Sequence, residues 1–332
     1  MNFKKLFLFC ILLIGIVLFW FWYNISHQYE VKQKEFEITS NTTFIPELID
    51  NVIIGNDFSH TAWKLYLKVF KYDTRLKSGV YTIESDTISR GELIQKLLRG
   101  PEKKKTQTLT FIEGWRNEDY STYLEKQGIR MQDQVRGLTI KDVKARYSFF
   151  DDTDTSKGLQ GYLFPDTYEV FTDVTEEEVV YRLLDNFNAK ITQDMRDEIE
   201  RTGRNLYEVL TMASIIEKEV RTLETKRTVS GIFYNRLDIG MALQSDATVN
   251  YITQSGRDRS TFEDLAIDSP YNTYKYKGLP PGPIANPGFD SIYAAVYPYD
   301  TDYFYFLTTP DGRIFYGKTF DQHVRNKNKY LN

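Results

Sequence analysis

Cysteine and histidine are nearly missing from this sequence. Its 332 residues hold one cysteine, Cys10, and three histidines, His27, His60 and His323. A single thiol excludes a disulfide framework and a cysteine metal site. The histidines are scattered without ligand spacing, so neither a metal nor a cofactor is expected. An excess of basic charge is missing too. The net charge of -4 argues against nucleic acid as the main partner. No Ser-His-Asp order stands out, nor any glycine loop built for phosphate.

The length suits about two domains, and the apolar and charged contents are those of a globular protein. Rings are plentiful, with 24 Tyr and 22 Phe. They suit sugar-binding surfaces, though most are expected to fill cores. Leu6 to Tyr23 is an unbroken apolar run, long enough to cross a hydrocarbon layer. Lys4 and Lys5 precede it, and Trp20, Trp22 and Tyr23 close it. The pattern predicts a cytoplasmic tail over 1–5 and a single-pass anchor over 6–23, with the remainder extracytoplasmic. A cleaved signal peptide fits less well, because no small-x-small site follows the run. Phe9 is too large for the position before a lipoprotein Cys10.

Residues 24–35 read as a charged tether. Residues 36–110 read as a small α+β unit: strands at Phe36–Ile38, Lys77–Ile83 and Thr106–Ile112, and helical patterns near 44–54 and 60–70. A further helix opens with a Ser89/Glu92 capping box and ends at Gly100-Pro101. Residues 111–332 read as a larger, mostly helical α+β domain. Asn117 is expected to cap a helix to Lys126, Thr175 a long helix to Thr202, and Asn205 the next. Another helix is expected over 225–237. Ser245 or Asp246 is placed as the cap of a helix through Ile252, and Asn286 as the cap of another. A hairpin spans 303–316, and a last helix starts near Thr319.

The stretch Thr211 to Val220 reads as the middle of a helix that is apolar over most of its circumference. Only Thr211, Ser214 and Lys218 make a polar strip, yet Glu217 and Glu219 both project among apolar neighbours. A carboxylate so placed is costly unless paired or protonated, which makes each a candidate general acid. The alternative is an ion pair with Lys218, Arg221 or a distant arginine. Polar loops rich in Asn, Gln, Thr and Tyr follow, including 269–274 and 278–284. One or two carboxylates with neutral polar partners is the chemistry of glycosidic bond cleavage.

Several ordered stretches resemble a known family. They are Met212-Ala213-Ser214-Ile215-Ile216-Glu217-Lys218-Glu219, Asn235-Arg236-Leu237, Gly240 to Asp246, Tyr271-Asn272-Thr273-Tyr274 and Gly278 to Ile284. Lys77 to Tyr81, Glu113-Gly114-Trp115 and Leu163 to Tyr168 extend the match. The chain is similar to the YceG-like family, the MltG-type endolytic murein transglycosylases. The resemblance implies an enzyme of the cell (inner) membrane, with its catalytic domain on the periplasmic side. That enzyme cuts nascent peptidoglycan strands between MurNAc and GlcNAc and leaves 1,6-anhydro ends. It implies that the 36–110 unit is LysM-like, that glycan strands are the substrate, and that peptidoglycan synthases are candidate partners. It places the catalytic glutamate on Glu219, with Glu217 the runner-up, and makes Gln244, Asn272 and Tyr274 candidate substrate contacts. Where the family often has Glu-Gly before the Pro-Asp-Thr motif, this chain has Gln160-Gly161. A non-catalytic glycan-binding scaffold and a two-carboxylate muramidase are the alternative readings.

Overall fold

The computed structural model describes residues 3–38, 49, 51–54, 68, 77–101, 105–129, 134–150, 153–257 and 260–331. Contacts divide the chain into two units, Met1–Lys104 and Lys105–Asn332. Both mix helix and strand.

In the first unit, helix α1 (Phe3–Ser26) carries the apolar run. Its segment Phe7–Ser26 is, among the described residues, the one helix long and apolar enough to cross a membrane. The expected tether takes a different form. Residues 24–26 continue α1, and strand β1 (Gln28–Glu30) pairs antiparallel with β4 (Thr87–Ser89). Within β1, Tyr29 packs against the unit's core and so gives this charged stretch an inward side. β2 (Glu35–Ile38) pairs antiparallel with β3 (Gly79–Thr82). Helix α2 (Arg90–Arg99) has the expected Ser89/Glu92 capping box, and Gly100 ends it. Phe36, Ile38, Tyr81, Leu93, Ile94 and Leu97 form the core. The expected helices at 44–54 and 60–70 fall mostly outside the described residues.

The second unit begins with β5 (Thr106–Thr110), read from the sequence as part of the first. It pairs antiparallel with β6 (Thr167–Phe171). Helix α3 (Asn117–Lys126) starts one residue earlier than its expected cap allows. Arg116 is at the cap, and its N–H donates to Asp119. The long helix expected over 175–202 is two, α4 (Glu176–Lys190) and α5 (Gln193–Arg201). Ile191 turns extended, and the Thr192 hydroxyl accepts from the Met195 N–H, which makes a new N-cap.

Helix α6 (Leu206–Glu219) carries the two carboxylates, and the Asn205/Glu208 capping box opens it as expected. It packs against α7 (Leu223–Asp238) and, across a long loop, against α10 (Phe289–Val296). Every residue from Val209 to Ile216 is buried, including Thr211 and Ser214 of the expected polar strip. Helix α8 (Asp246–Thr253) and the short α9 (Phe262–Ala266) lie between α7 and α10 in sequence. A hairpin of β7 (Tyr305–Thr308) and β8 (Ile314–Gly317) and helix α11 (Phe320–Tyr330) complete the unit.

Candidate active site

Helix α6 ends on Glu219 itself. The next residue, Val220, is extended, with φ -146° and ψ 161°. The motif expected in mid-helix therefore straddles a helix terminus, and its last carboxylate sits where the chain turns away. Two positions apart on a helix means about 200° of rotation, so Glu217 and Glu219 enter opposite surroundings.

Glu217 is fully engaged. Lys226 Nζ lies 3.2 Å from Oε1, and the side chains of this ion pair are 4% and 9% exposed (Lys226 and Glu217). Its Oε2 accepts from the Gly288 N–H at 3.0 Å and the Ser291 hydroxyl at 2.6 Å. The carboxylate thus ties α6 to α7 and to the start of α10. A buried carboxylate with this many partners acts as a fastener between the three helices.

Glu219 has a different set of neighbours. Among the described residues one hydrogen bond reaches its carboxyl, from the Ser245 hydroxyl to Oε1. Burial pushes its pKa up to about 6, and the Asp246 carboxylate adds to the rise, while Ser245 and the Arg236 charge oppose it. The residue still keeps part of its surface open. Arg236 is buried and does not clamp it: its Nε donates to the Phe304 carbonyl at 2.7 Å and its Nη1 to the Leu243 carbonyl. Its charge is felt across a gap.

Ser245 explains how that single bond is aimed. It occupies the N-cap position of α8 but makes no side-chain cap bond. Its N–H donates to Thr273 Oγ1 at 3.1 Å, which frees the hydroxyl for Glu219. Asp246, the other expected cap, is the first helical residue, and its Oδ1 accepts from the Tyr274 hydroxyl at 3.1 Å. Burial and the Asp246 charge raise the Tyr274 phenol well above its usual range, with Glu219 contributing.

The three expected substrate contacts separate. Tyr274 stands beside Asp246 and is partly open. Gln244 is exposed and holds a left-handed backbone, φ 51°. Its N–H donates to the Thr273 carbonyl at 3.1 Å, which fixes the conformation. A non-glycine residue held there is strained, and such strain collects at working sites. Asn272 is fully buried. Its Nδ2 donates to the Leu265 and Ile267 carbonyls, and its Oδ1 accepts from the Tyr274 N–H at 3.1 Å. Its amide holds the loop and leaves nothing for a ligand.

Sequence reasoning missed Ser245 and Arg236 as neighbours of Glu219. Both lie inside the quoted motifs, and the signal was there: Ser245 offers a hydroxyl one residue before Asp246, and helix capping was only one of its uses. Asn286 was read as a cap; its amide instead joins distant loops, accepting from the Gly161 N–H at 2.7 Å and donating to Asn117 Oδ1 at 3.0 Å. Gln160 belongs to the same knot, donating to the Pro283 carbonyl at 2.8 Å and accepting from the Asn117 N–H at 3.3 Å. It needs no charge there. Among the described residues no group of His, Cys, Asp and Glu could hold a metal ion.

The model of the YceG-like family matches residues 37–329. An endolytic murein transglycosylase of Bacillus subtilis strain 168 is 34% identical over 301 residues, which cover 85% of this chain and 81% of the relative. A protein of the same name from Streptococcus pneumoniae serotype 2 is 29% identical over 306 residues, 81% of this chain and 53% of the relative. A crystal structure of a yceG-like protein from Listeria monocytogenes aligns with a TM-score of 0.59 at 30% identity, over 89% of this chain and 99% of that one. The chain belongs to the YceG-like family.

Proposed function

We propose that this protein is an endolytic murein transglycosylase, with Glu219 as its acid and then its base. The observation that carries the reading is the state of Glu219: a residue that keeps part of its surface open at the helix end, whose carboxyl has a pKa pushed up by burial to about 6 and a hydroxyl partner in Ser245. The first step moves its proton to the oxygen between MurNAc and GlcNAc. The C1–O bond breaks, its electron pair stays on that oxygen, and an oxocarbenium-like sugar forms. The anionic Glu219 then takes the proton of the sugar's own 6-hydroxyl as that oxygen bonds to C1 and closes the 1,6-anhydro ring. Ser245 holds the anion through the interval, and the buried Arg236 charge favours it. An internal nucleophile needs no second carboxylate, which suits the engagement of Glu217 with Lys226.

In this reading Gln244 and Tyr274 contact the glycan, and Asn272, expected beside them, acts by supporting the loop that carries Tyr274. In this reading α1 anchors the chain with its N-terminus cytoplasmic and the catalytic unit on the outer side. The unit over 36–110 is a LysM-like glycan binder, and peptidoglycan synthases are candidate partners. The test is digestion of isolated murein followed by mass spectrometry. Anhydro-ended fragments are expected from the native protein and none from Glu219→Gln of equal folded content. Reducing ends would mean hydrolysis, and unchanged murein a binder.

A further inference from the structure

Four observations in the first unit concern the junction between the apolar helix and the unit that follows. One residue, His27, separates α1 from β1, and β1 is already paired with β4. Arg90, which follows β4 directly, is fully buried. Its Nη1 donates to the Asn24 carbonyl at 3.0 Å, to Asn24 Oδ1 at 3.3 Å and to the Tyr29 hydroxyl, and its guanidinium stacks 3.9 Å from the Tyr29 ring centre. The Asn24 carbonyl is one of the last four of α1, which lack helical partners and carry the negative end of the helix dipole. Arg90 therefore caps α1 from a neighbouring element.

Gly91 adds a steric requirement. A Cβ there would lie 3.1 Å from Ile25 Cγ2, closer than ordinary packing, so α2 approaches α1 closely and a larger side chain would push Ile25 aside. Finally, Phe21 and Ile25 pack against the core of the first unit. Trp20, Trp22 and Tyr23, at the same level of α1, are exposed by 50%, 64% and 50%. Such rings settle at a membrane–water interface. Phe21 and Ile25 are about 6 Å apart along the axis.

We infer that the first unit is fixed directly onto the end of the apolar helix and lies against the lipid headgroup layer, with no flexible tether between. The inference rests on the reading of α1 as a membrane anchor. One face of the helix end meets lipid while the opposite face, at the same height, is part of a protein core. The unit then holds a set height and tilt over the bilayer. Its exposed surface along α2, where Gln95 lies, is a membrane-facing surface.

The test uses the full-length protein with Cys10→Ser, placed in phosphatidylethanolamine/phosphatidylglycerol nanodiscs. Spin labels are attached at Ser26→Cys and Gln95→Cys, both exposed positions. Protein that does not co-elute with discs refutes the anchor reading alone. In discs, a single narrow distance peak is expected, and a broad distribution overturns the docking. A fluorophore at Gln95→Cys should be quenched by headgroup-labelled lipid; a narrow distance without quenching overturns the membrane contact. Arg90→Ala should lose both the narrow peak and the quenching. If circular dichroism shows that Arg90→Ala unfolds the unit, Gly91→Leu, which forces α1 away from α2, should give the same two losses. Retention of both signals by a folded variant contradicts the clamp.

Discussion

Glu217 and Glu219 are the same residue type, two positions apart on one helix, yet they have opposite chemistry. Glu217 meets a lysine, a hydroxyl and a backbone N–H, and these contacts join α6, α7 and α10. Glu219 is held in its neutral form by burial, with the Asp246 charge adding to the effect, and the Ser245 hydroxyl and an arginine whose Nε and Nη1 donate to backbone carbonyls only partly oppose it. The residue type sets what a carboxyl can do, and the face of the helix decides which of those things it does.

Exchanging each for glutamine should separate the two most sharply. Glu219→Gln removes the proton donor and should lower the rate of murein cleavage by about 10²- to 10⁴-fold. The same change should stabilise the fold. The folded pKa of about 6 lies above the reference 4.5, so the stability tied to this group is complete below about pH 4.5 and lost as pH rises through 6. The shift corresponds to about 2 kcal/mol, and Glu219→Gln should recover about that much above pH 7 in urea unfolding. Glu217→Gln should do the reverse. Stranding Lys226 in the interior should cost about 3 kcal/mol, and the folded fraction should keep measurable turnover.

The pH profile sharpens the contrast. Cleavage by the native protein should decline above about pH 6 as Glu219 loses its proton in the free enzyme. Asp246→Asn removes a like charge and should move that alkaline limb to lower pH. Ser245→Ala removes a bond to the anion and should move it to higher pH, with a lower maximum because the carboxyl is no longer aimed. Glu217→Gln should leave the limb in place.

Smaller effects test the loops. Asn272→Ala leaves two partly buried carbonyls without a donor and should cost about 1–3 kcal/mol of stability. Gln244→Ala should raise KM with kcat nearly unchanged, as expected for a contact made equally in ground and transition states. Gln244→Gly should raise KM as well, while relieving the left-handed strain by about 1 kcal/mol.

Much of this architecture is legible locally. The capping boxes at Ser89/Glu92, Thr175/Glu178 and Asn205/Glu208 are four-residue patterns, and the helix starts expected at Ser89, Thr175 and Asn205 form on them. The features that were misread depend on distant partners. Nothing local stops α6 at Glu219; Val220 turns extended without a glycine. Asn286 resembles a cap until Gly161 and Asn117 arrive from over a hundred residues upstream. Ser245 and Asp246 look interchangeable as caps, and only the arrival of Glu219 and Tyr274 assigns them different work. Helix periodicity showed two carboxylates among apolar neighbours but did not rank them. The family motifs supplied the order, and the ion pair of Glu217 supplies its physical reason.

The most direct test of that reason is a carboxyl titration of the full-length protein by infrared difference spectroscopy, comparing native, Glu217→Gln and Glu219→Gln forms. We expect a protonated-carboxyl band that titrates near pH 6, persists in Glu217→Gln and vanishes in Glu219→Gln. A band that vanishes in Glu217→Gln instead, or no carboxyl titrating above the ordinary glutamate range, would contradict the account.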